Sequence, residues 1–125
     1  MTFLIVFLGA GIGGALRHGV NLASMRLGWT AFPLATLGVN VLGSFVMGLL
    51  TALFAYRAVP QEMRLLLTTG LLGGFTTFST FSLDFALLWE RGRLGLATAY
   101  GLASVLLSVG ALFVGLRLFR LLVRA

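Results

Sequence analysis

A short aromatic and hydroxyl-bearing segment, Phe78-Ser79-Thr80-Phe81, interrupts sequence that is otherwise almost wholly apolar. Hydroxyl groups donate hydrogen bonds, and an aromatic ring has a negative face and a positive edge. Rings presented edge-on would attract an anion and rings presented face-on a cation, and the sequence alone does not choose between them. Phe78 and Phe81 are three residues apart and therefore share one face of a helix. The segment predicts a site or a path for an ion.

Two further sets of polar side chains recur every four residues, which places each set on one helix face. The first set is Thr36, Asn40 and Ser44, and the second is Tyr100, Ser104 and Ser108. Hydrogen bonds between helices, worth about 0.6 kcal/mol each, would explain either set alone. Asn40 argues for more, because a buried amide needs several partners and cannot find them within its own helix as a hydroxyl can. Together with the aromatic segment, the two sets predict a shared polar path.

Three glycines, Gly70, Gly73 and Gly74, precede the aromatic segment. They predict a helix break over residues 73–76. Non-helical backbone at membrane depth must be buried in protein or line a water-filled cavity, and carbonyls freed by such a break can coordinate a cation such as Na⁺. A simpler interpretation is that the glycines only let helices pack closely, and on the glycines alone this interpretation is favoured.

The elements that must position these residues are long apolar helices. Hydrophobic residues make up 59% of the 125-residue chain and charged residues 10%, and a helix needs about 20 apolar residues to cross the hydrocarbon. The uncharged runs predict an all-α membrane protein with a single domain over residues 1–125. Its four predicted spans lie near residues 2–24, 33–56, 64–89 and 94–122, with the third helix broken.

The basic residues are almost evenly divided between the two sides of the membrane. With four spans, one side carries Arg57, Arg64, Arg117, Arg120 and Arg124. The other side carries Arg17, Arg26, Arg91 and Arg93. Orientation normally follows an excess of basic residues in cytoplasmic loops, and here there is almost no excess. The simplest prediction is a chain that inserts in both orientations and forms an antiparallel two-fold dimer; the alternative is one orientation fixed by another cue.

Several functional classes are disfavoured by what the chain lacks. It has no cysteine and a single histidine, His18, so neither a nucleophile–base pair nor a clustered metal site is available, and an enzyme is not expected. The net charge of +6 comes from arginines scattered at helix ends, without the basic stripe that nucleic acid requires. Asp84, near the end of the third span, is expected to pair with an arginine.

The chain resembles the Fluc (CrcB) family of fluoride channels along essentially its whole length. The matching stretches are Gly13-Gly-Ala-Leu-Arg17, Pro33-Leu-Ala-Thr-Leu-Gly-Val-Asn40-Val-Leu-Gly-Ser44 and Gly73-Gly-Phe-Thr-Thr-Phe-Ser-Thr-Phe81. The resemblance implies a dual-topology antiparallel homodimer in the cell inner (plasma) membrane, with two pores lined by both subunits. It also implies passive, selective export of fluoride from the cytoplasm.

The resemblance also implies roles for individual residues. Asn40 would donate a hydrogen bond to fluoride, and Phe78 and Phe81 would present their ring edges to it. The backbone carbonyls of Gly73 and Thr76, from both subunits, would hold a central structural Na⁺. The other implied positions along the pore are Thr36, Ser79, Thr80, Tyr100, Ser104 and Ser108. Arg17 would lie near the vestibule, and it is followed by His18 where the family usually has Tyr or Phe.

Two other functions compete with a channel. A small proton-coupled exporter of similar length would need a titratable carboxylate inside its first span, and the first span here contains no acid. A non-transporting membrane subunit would explain the glycines as packing residues. It would not explain Asn40 together with a cluster of phenylalanines and hydroxyls.

Overall fold

The chain is all-helical in a computed structural model that describes residues 1–125. Its α-helices are α1 (Thr2–Arg26), α2 (Leu34–Tyr56), α3 (Gln61–Leu65), α4 (Gly73–Phe75), α5 (Phe78–Glu90) and α6 (Leu94–Arg124). A π-helical segment, Leu66–Leu72, joins α3 to α4. Four stretches are long and apolar enough to cross a membrane: α1, α2, α6 and the bent third span Gln61–Glu90. The predicted all-α fold with four long helices and an interrupted third one is confirmed.

Two glycines end helices by adopting the left-handed conformation that other residues disfavour. Gly28 has φ 75° after α1, and Gly92 has φ 74° after α5. After α1, Trp29 N–H donates to Ser24 O at 3.0 Å and Gly28 N–H donates to Met25 O at 3.1 Å. This pair of bonds satisfies carbonyls that a helix end would otherwise leave unpaired. Both glycines lie in the connections between successive spans, Gly28 before α2 and Gly92 before α6.

The first and third spans approach each other through small residues. A side chain at Gly9 would meet the backbone of Gly70 at 2.9 Å, and one at Gly74 would overlap the backbone of Ala10. At Gly13 a side chain would overlap the carbonyl oxygen of Leu71, which lies in the π-helical segment. Backbone therefore lies directly on backbone, a close approach that small residues make possible between membrane helices.

The second and fourth spans form the other large contact and run parallel. A side chain at Gly48 of α2 would overlap the backbone of Leu112 in α6, and one at Gly115 of α6 would overlap Phe45 in α2. Further along both helices, the rings of Tyr56 and Phe119 are 6.2 Å apart. The fold thus consists of two tightly packed helix pairs, with the break of the third span between them.

Little of the chain is buried within a single copy. Only 15 of the 125 residues are buried, and the core cluster is limited to Leu88, Ala97 and Tyr100. Large apolar side chains are exposed along α1 and α6, among them Phe3, Phe7 and Phe113. Exposed apolar surface on this scale needs lipid or another protein surface to cover it.

The break in the third span lies further along than the glycines predicted. Gly73–Phe75 is still a helical turn, whereas Thr76 (φ −85°, ψ 158°) and Thr77 (φ −155°, ψ 126°) are extended. The prediction of a break over residues 73–76 is therefore wrong for most of its length. Gly70 and Gly74 instead allow the close contact with α1, which agrees with the interpretation that the glycines let helices pack closely.

Candidate functional site

The backbone at the break is partly satisfied by a side chain from α2. Asn40 Nδ2 donates to Thr77 O at 3.0 Å, and Thr77 N–H donates to Asn40 Oδ1 at 2.8 Å. In extended backbone the N–H and C=O of one residue point to the same side, so one amide can bind both. Asn40 thereby uses its oxygen and one of its two Nδ2 protons. The second proton stays free to donate to another group.

Thr77 also begins the helix that carries the two phenylalanines. Its hydroxyl oxygen accepts a hydrogen bond from Thr80 N–H at 3.2 Å, which is the usual N-cap interaction of a threonine. The carbonyl end of α4 and the N–H end of α5 meet at this point. Those two ends carry partial negative and partial positive charge respectively. The break can therefore favour a cation on one side and an anion on the other.

A cleft of about 440 Å³ opens beside the break, between α2 and α6. It brings together five of the predicted pore residues, Asn40, Phe78, Phe81, Ser104 and Ser108, with the predicted cation ligand Thr76. The other lining residues are Gly43, Ser44, Met47, Thr77, Val105, Val109 and Leu112. No lysine, arginine or acid lines the cleft, so its polar character comes entirely from neutral groups.

The hydroxyls of Ser104 and Ser108 are buried in this cleft without a hydrogen-bond partner. Serine and threonine in helices commonly donate to the carbonyl four residues earlier. Thr51 and Thr98 do so here, at 2.7 and 2.9 Å. Ser104, only 8% exposed, and Ser108 do not. Because an unsatisfied buried hydroxyl is unfavourable, this pair favours a site that is completed by a ligand.

The two phenylalanines occupy different environments within the cleft. The Phe81 ring is anchored among other rings, 5.1 Å from Tyr100, 5.4 Å from Phe78 and 6.5 Å from Phe85. Phe78 is 77% exposed, and the only aromatic ring near its own is that of Phe81. Phe81 is thus a fixed wall of the cleft, whereas Phe78 projects from the surface of a single copy.

Thr36 and Thr80 line a second cavity, of about 420 Å³, and not the cleft that contains Asn40. Asp84 and Arg91 also line it. The expected arginine partner of Asp84 is replaced by a tyrosine, since Tyr100 O–H donates to Asp84 Oδ2 at 3.1 Å. Tyr100 is wholly buried, and its ring contacts Phe81, so it links the two cavities.

The remaining predicted residues lie outside both cavities. Ser79 is exposed, with its hydroxyl 3.3 Å from that of Thr77. Arg17 is half-buried in α1 and Gly73 is exposed in α4, and neither lines the cleft. No cluster of histidine, cysteine or acidic side chains could hold a metal ion, so a cation here would depend on backbone carbonyls.

The role of Thr77 was not predicted from the sequence, although a signal for it existed. A threonine directly before the helix Phe78–Glu90 is a common N-cap. The hydrogen bond of Thr77 to Asn40 joins residues 37 positions apart. No local pattern in the sequence indicates such a pairing.

Comparison with known proteins places the chain in a family. Residues 4–116 match the family described as "CrcB-like protein, Camphor Resistance (CrcB)". A relative from Granulibacter bethesdensis, named "Fluoride-specific ion channel FluC", is 59% identical over 99% of this chain and 98% of its own length. Relatives of the same name from Rhodopseudomonas palustris and Methylobacterium nodulans are 54% and 56% identical over 96% of this chain and 98% and 97% of their own lengths. The chain belongs to the CrcB family.

Proposed function

We propose that this protein is a fluoride-selective passive channel that exports fluoride from the cytoplasm. The observation that carries the proposal is the pair of buried, unpartnered hydroxyls of Ser104 and Ser108, which share one cleft with Asn40 and two phenylalanines. The names of the relatives support the same function. Those relatives are channels and not enzymes, in agreement with the absence of a nucleophile–base pair from the sequence.

The chemistry of the cleft suits a small, strongly hydrated anion. A pore must replace the water around such an ion with donors, yet conduction requires binding that is weak enough for the ion to leave. The free Nδ2 proton of Asn40, the two serine hydroxyls and the positive edges of Phe78 and Phe81 are all neutral donors. A lysine or arginine in the cleft would bind the ion more tightly, and none lines it.

The cleft supports a pore that is completed by a second copy of the chain. It is open on one side, and Phe78, 77% exposed, projects from the surface of the single copy. An antiparallel homodimer would cover this face and form two equivalent pores, each lined by both subunits. The near-even division of the nine basic residues favours this arrangement, because it gives no strong preference for one orientation. The expected location is the cell inner (plasma) membrane, as a multi-pass protein.

The break also offers carbonyls that suit a structural Na⁺ at the dimer interface. Gly73 is exposed and Thr76 lies in the cleft, so carbonyls from two copies could meet at a two-fold axis. The ion would supply positive potential near the anion path without placing a charged side chain in it. The carbonyl end of a half-helix is favourable for such a cation.

Fluoride efflux from liposomes tests the proposed function directly. Vesicles that contain the purified protein and are loaded with potassium fluoride should release fluoride when valinomycin allows K⁺ to follow, whereas chloride-loaded vesicles should not release chloride. An ion-selective electrode records both. Efflux that requires a proton gradient would favour a proton-coupled exporter. Efflux equal to that of protein-free vesicles would favour a non-transporting membrane subunit.

A tag at the C-terminus tests the dual orientation. We expect a membrane-impermeant reagent to label about half of the tags on intact inverted vesicles and the rest only after permeabilisation, because the arginine bias is nearly zero. As a control, adding two lysines after Ala125 should shift most chains to one orientation. Labelling from one side alone in the unmodified protein would contradict the antiparallel dimer.

A further inference from the structure

The carbonyl oxygens of Gly73 and Thr76 have both lost the N–H groups that would bond to them in a continuous helix. In an α-helix the N–H of a residue donates to the carbonyl four residues earlier, so Thr77 N–H would bond to Gly73 O and Thr80 N–H to Thr76 O. Instead, Thr77 N–H donates to Asn40 Oδ1 at 2.8 Å and Thr80 N–H donates to the Thr77 hydroxyl at 3.2 Å.

No other backbone donor replaces the lost partners. Thr76 N–H, the nearest alternative for Gly73 O, donates to Leu72 O at 2.9 Å. The hydroxyl of Thr76 donates to the same Leu72 oxygen at 2.8 Å. The two N–H groups that a continuous helix would offer to these carbonyls are thus bound elsewhere, by the side-chain oxygens of Asn40 and Thr77.

We propose that Asn40 and the Thr77 hydroxyl are positioning residues that keep the Gly73 and Thr76 carbonyls free for a monovalent cation. This inference rests on the sodium site in the proposed function. It gives Asn40 a second task beside donation to fluoride, carried out by different atoms. The Oδ1 atom serves the cation site by holding Thr77 N–H, while the second Nδ2 proton remains available to the anion.

The orientation of the Asn40 amide is fixed by this arrangement. Its oxygen must face Thr77 N–H and its nitrogen must face Thr77 O, because the reverse would place donor against donor and acceptor against acceptor. Removal of the amide would release Thr77 N–H, which could then return to Gly73 O four residues earlier. A carbonyl that accepts such a hydrogen bond is a poorer ligand for a cation.

Equilibrium binding of radioactive Na⁺ to the purified full-length protein tests the inference without any transport assay. We expect Asn40→Ala to weaken apparent Na⁺ affinity by about tenfold, the order of one hydrogen bond that must be broken to free the ligand. Ser104→Ala, which removes a hydroxyl from the same cleft but touches neither carbonyl, is the control and should bind Na⁺ like the unmodified protein.

A backbone substitution distinguishes this role from general damage. Thr77 replaced by its α-hydroxy acid has an ester in place of the N–H, so no donor can return to Gly73 O. The same ester makes the Thr76 carbonyl a weaker ligand, so the ester protein with Asn40 intact is the reference. Against that reference, Asn40→Ala should weaken Na⁺ affinity by no more than about threefold. Unchanged affinity in Asn40→Ala alone, or a loss of about tenfold that persists in the ester background, would overturn the proposal.

A second variant covers the case in which Asn40→Ala does not fold. Thr77→Val keeps the side-chain shape and removes the hydroxyl that holds Thr80 N–H, so it too should weaken Na⁺ binding by about tenfold. Affinity equal to that of Ser104→Ala would contradict the inference. If the unmodified protein does not bind Na⁺, the proposed sodium site is overturned. The proposed fluoride channel is tested separately, by the efflux measurement.

Discussion

Replacement of Phe81 by methionine is expected to lower fluoride efflux about 100-fold, comparable with the loss of one preorganised donor from an enzyme's oxyanion site. Phe81 forms a fixed wall of the cleft, with its ring 5.1 Å from Tyr100 and 5.4 Å from Phe78. Methionine keeps most of the volume and fills irregular space well, so the packing around Tyr100 should survive. What it lacks is the positive ring edge. Efflux from liposomes measures the effect.

The control for Phe81 is another phenylalanine of the same chain. Phe113 in α6 is exposed and lines neither the cleft nor the second cavity. Phe113→Met should therefore conduct fluoride like the unmodified protein. Size-exclusion elution should show the same assembly for both variants. Full efflux through Phe81→Met, with assembly intact, would remove the Phe81 ring edge from the conduction mechanism and leave Phe78, the hydroxyls and Asn40 as the proposed donors.

The four long helices could be predicted from the sequence because the membrane imposes a strong and local rule. Every backbone group in hydrocarbon must be satisfied within the protein, so apolar runs of sufficient length become helices. The predicted second span, 33–56, and the observed helix Leu34–Tyr56 differ by one residue at the start. Polar side chains at regular spacing then indicated which faces would meet, and the cleft unites Asn40, Ser104 and Ser108.

The position of the break could not be predicted in the same way, because glycine has two uses. It tolerates irregular backbone, and it lets helices approach closely. Gly70 and Gly74 serve the second use against α1, while the extended residues are Thr76 and Thr77. Only the position of α1 beside the third span distinguishes the two uses. That contact is non-local, and no pattern within the segment 70–82 contains it.

The sequence also did not indicate which hydroxyls would have a hydrogen-bond partner. Ser104 and Ser108 resemble Thr98 in residue type and in their place on α6, yet Thr98 donates to Leu94 O at 2.9 Å and the two serines have no partner. The difference depends on which face of α6 turns toward α2. The need of Asn40 for several partners was predictable, but its partner Thr77 depends on the register of two spans. Such pairings are set by packing and not by composition.

The Gly13→Ala variant is expected to unfold on the order of 10 °C below the unmodified protein, given a loss of a few kcal/mol. In an exposed helix interior, alanine in place of glycine gains about 1 kcal/mol. At Gly13 the new methyl group would overlap Leu71 O and lie 2.8 Å from Phe75 N. Both are backbone atoms, and neither can move without displacing the third span. Thermal unfolding in detergent, followed by intrinsic fluorescence, measures the change.

Gly11, two residues earlier in α1, provides the matched control with the opposite expected sign. A methyl group there meets nothing within 4 Å, so Gly11→Ala should keep or raise the unfolding temperature. The same backbone contact holds the π-helical segment and α4 in place, immediately before the break. Gly13→Ala should therefore also reduce fluoride efflux, although Gly13 does not line the cleft. Equal unfolding temperatures for the two variants would mean that the first and third spans can separate freely. The break would then lack the rigid support that the proposed ion sites require.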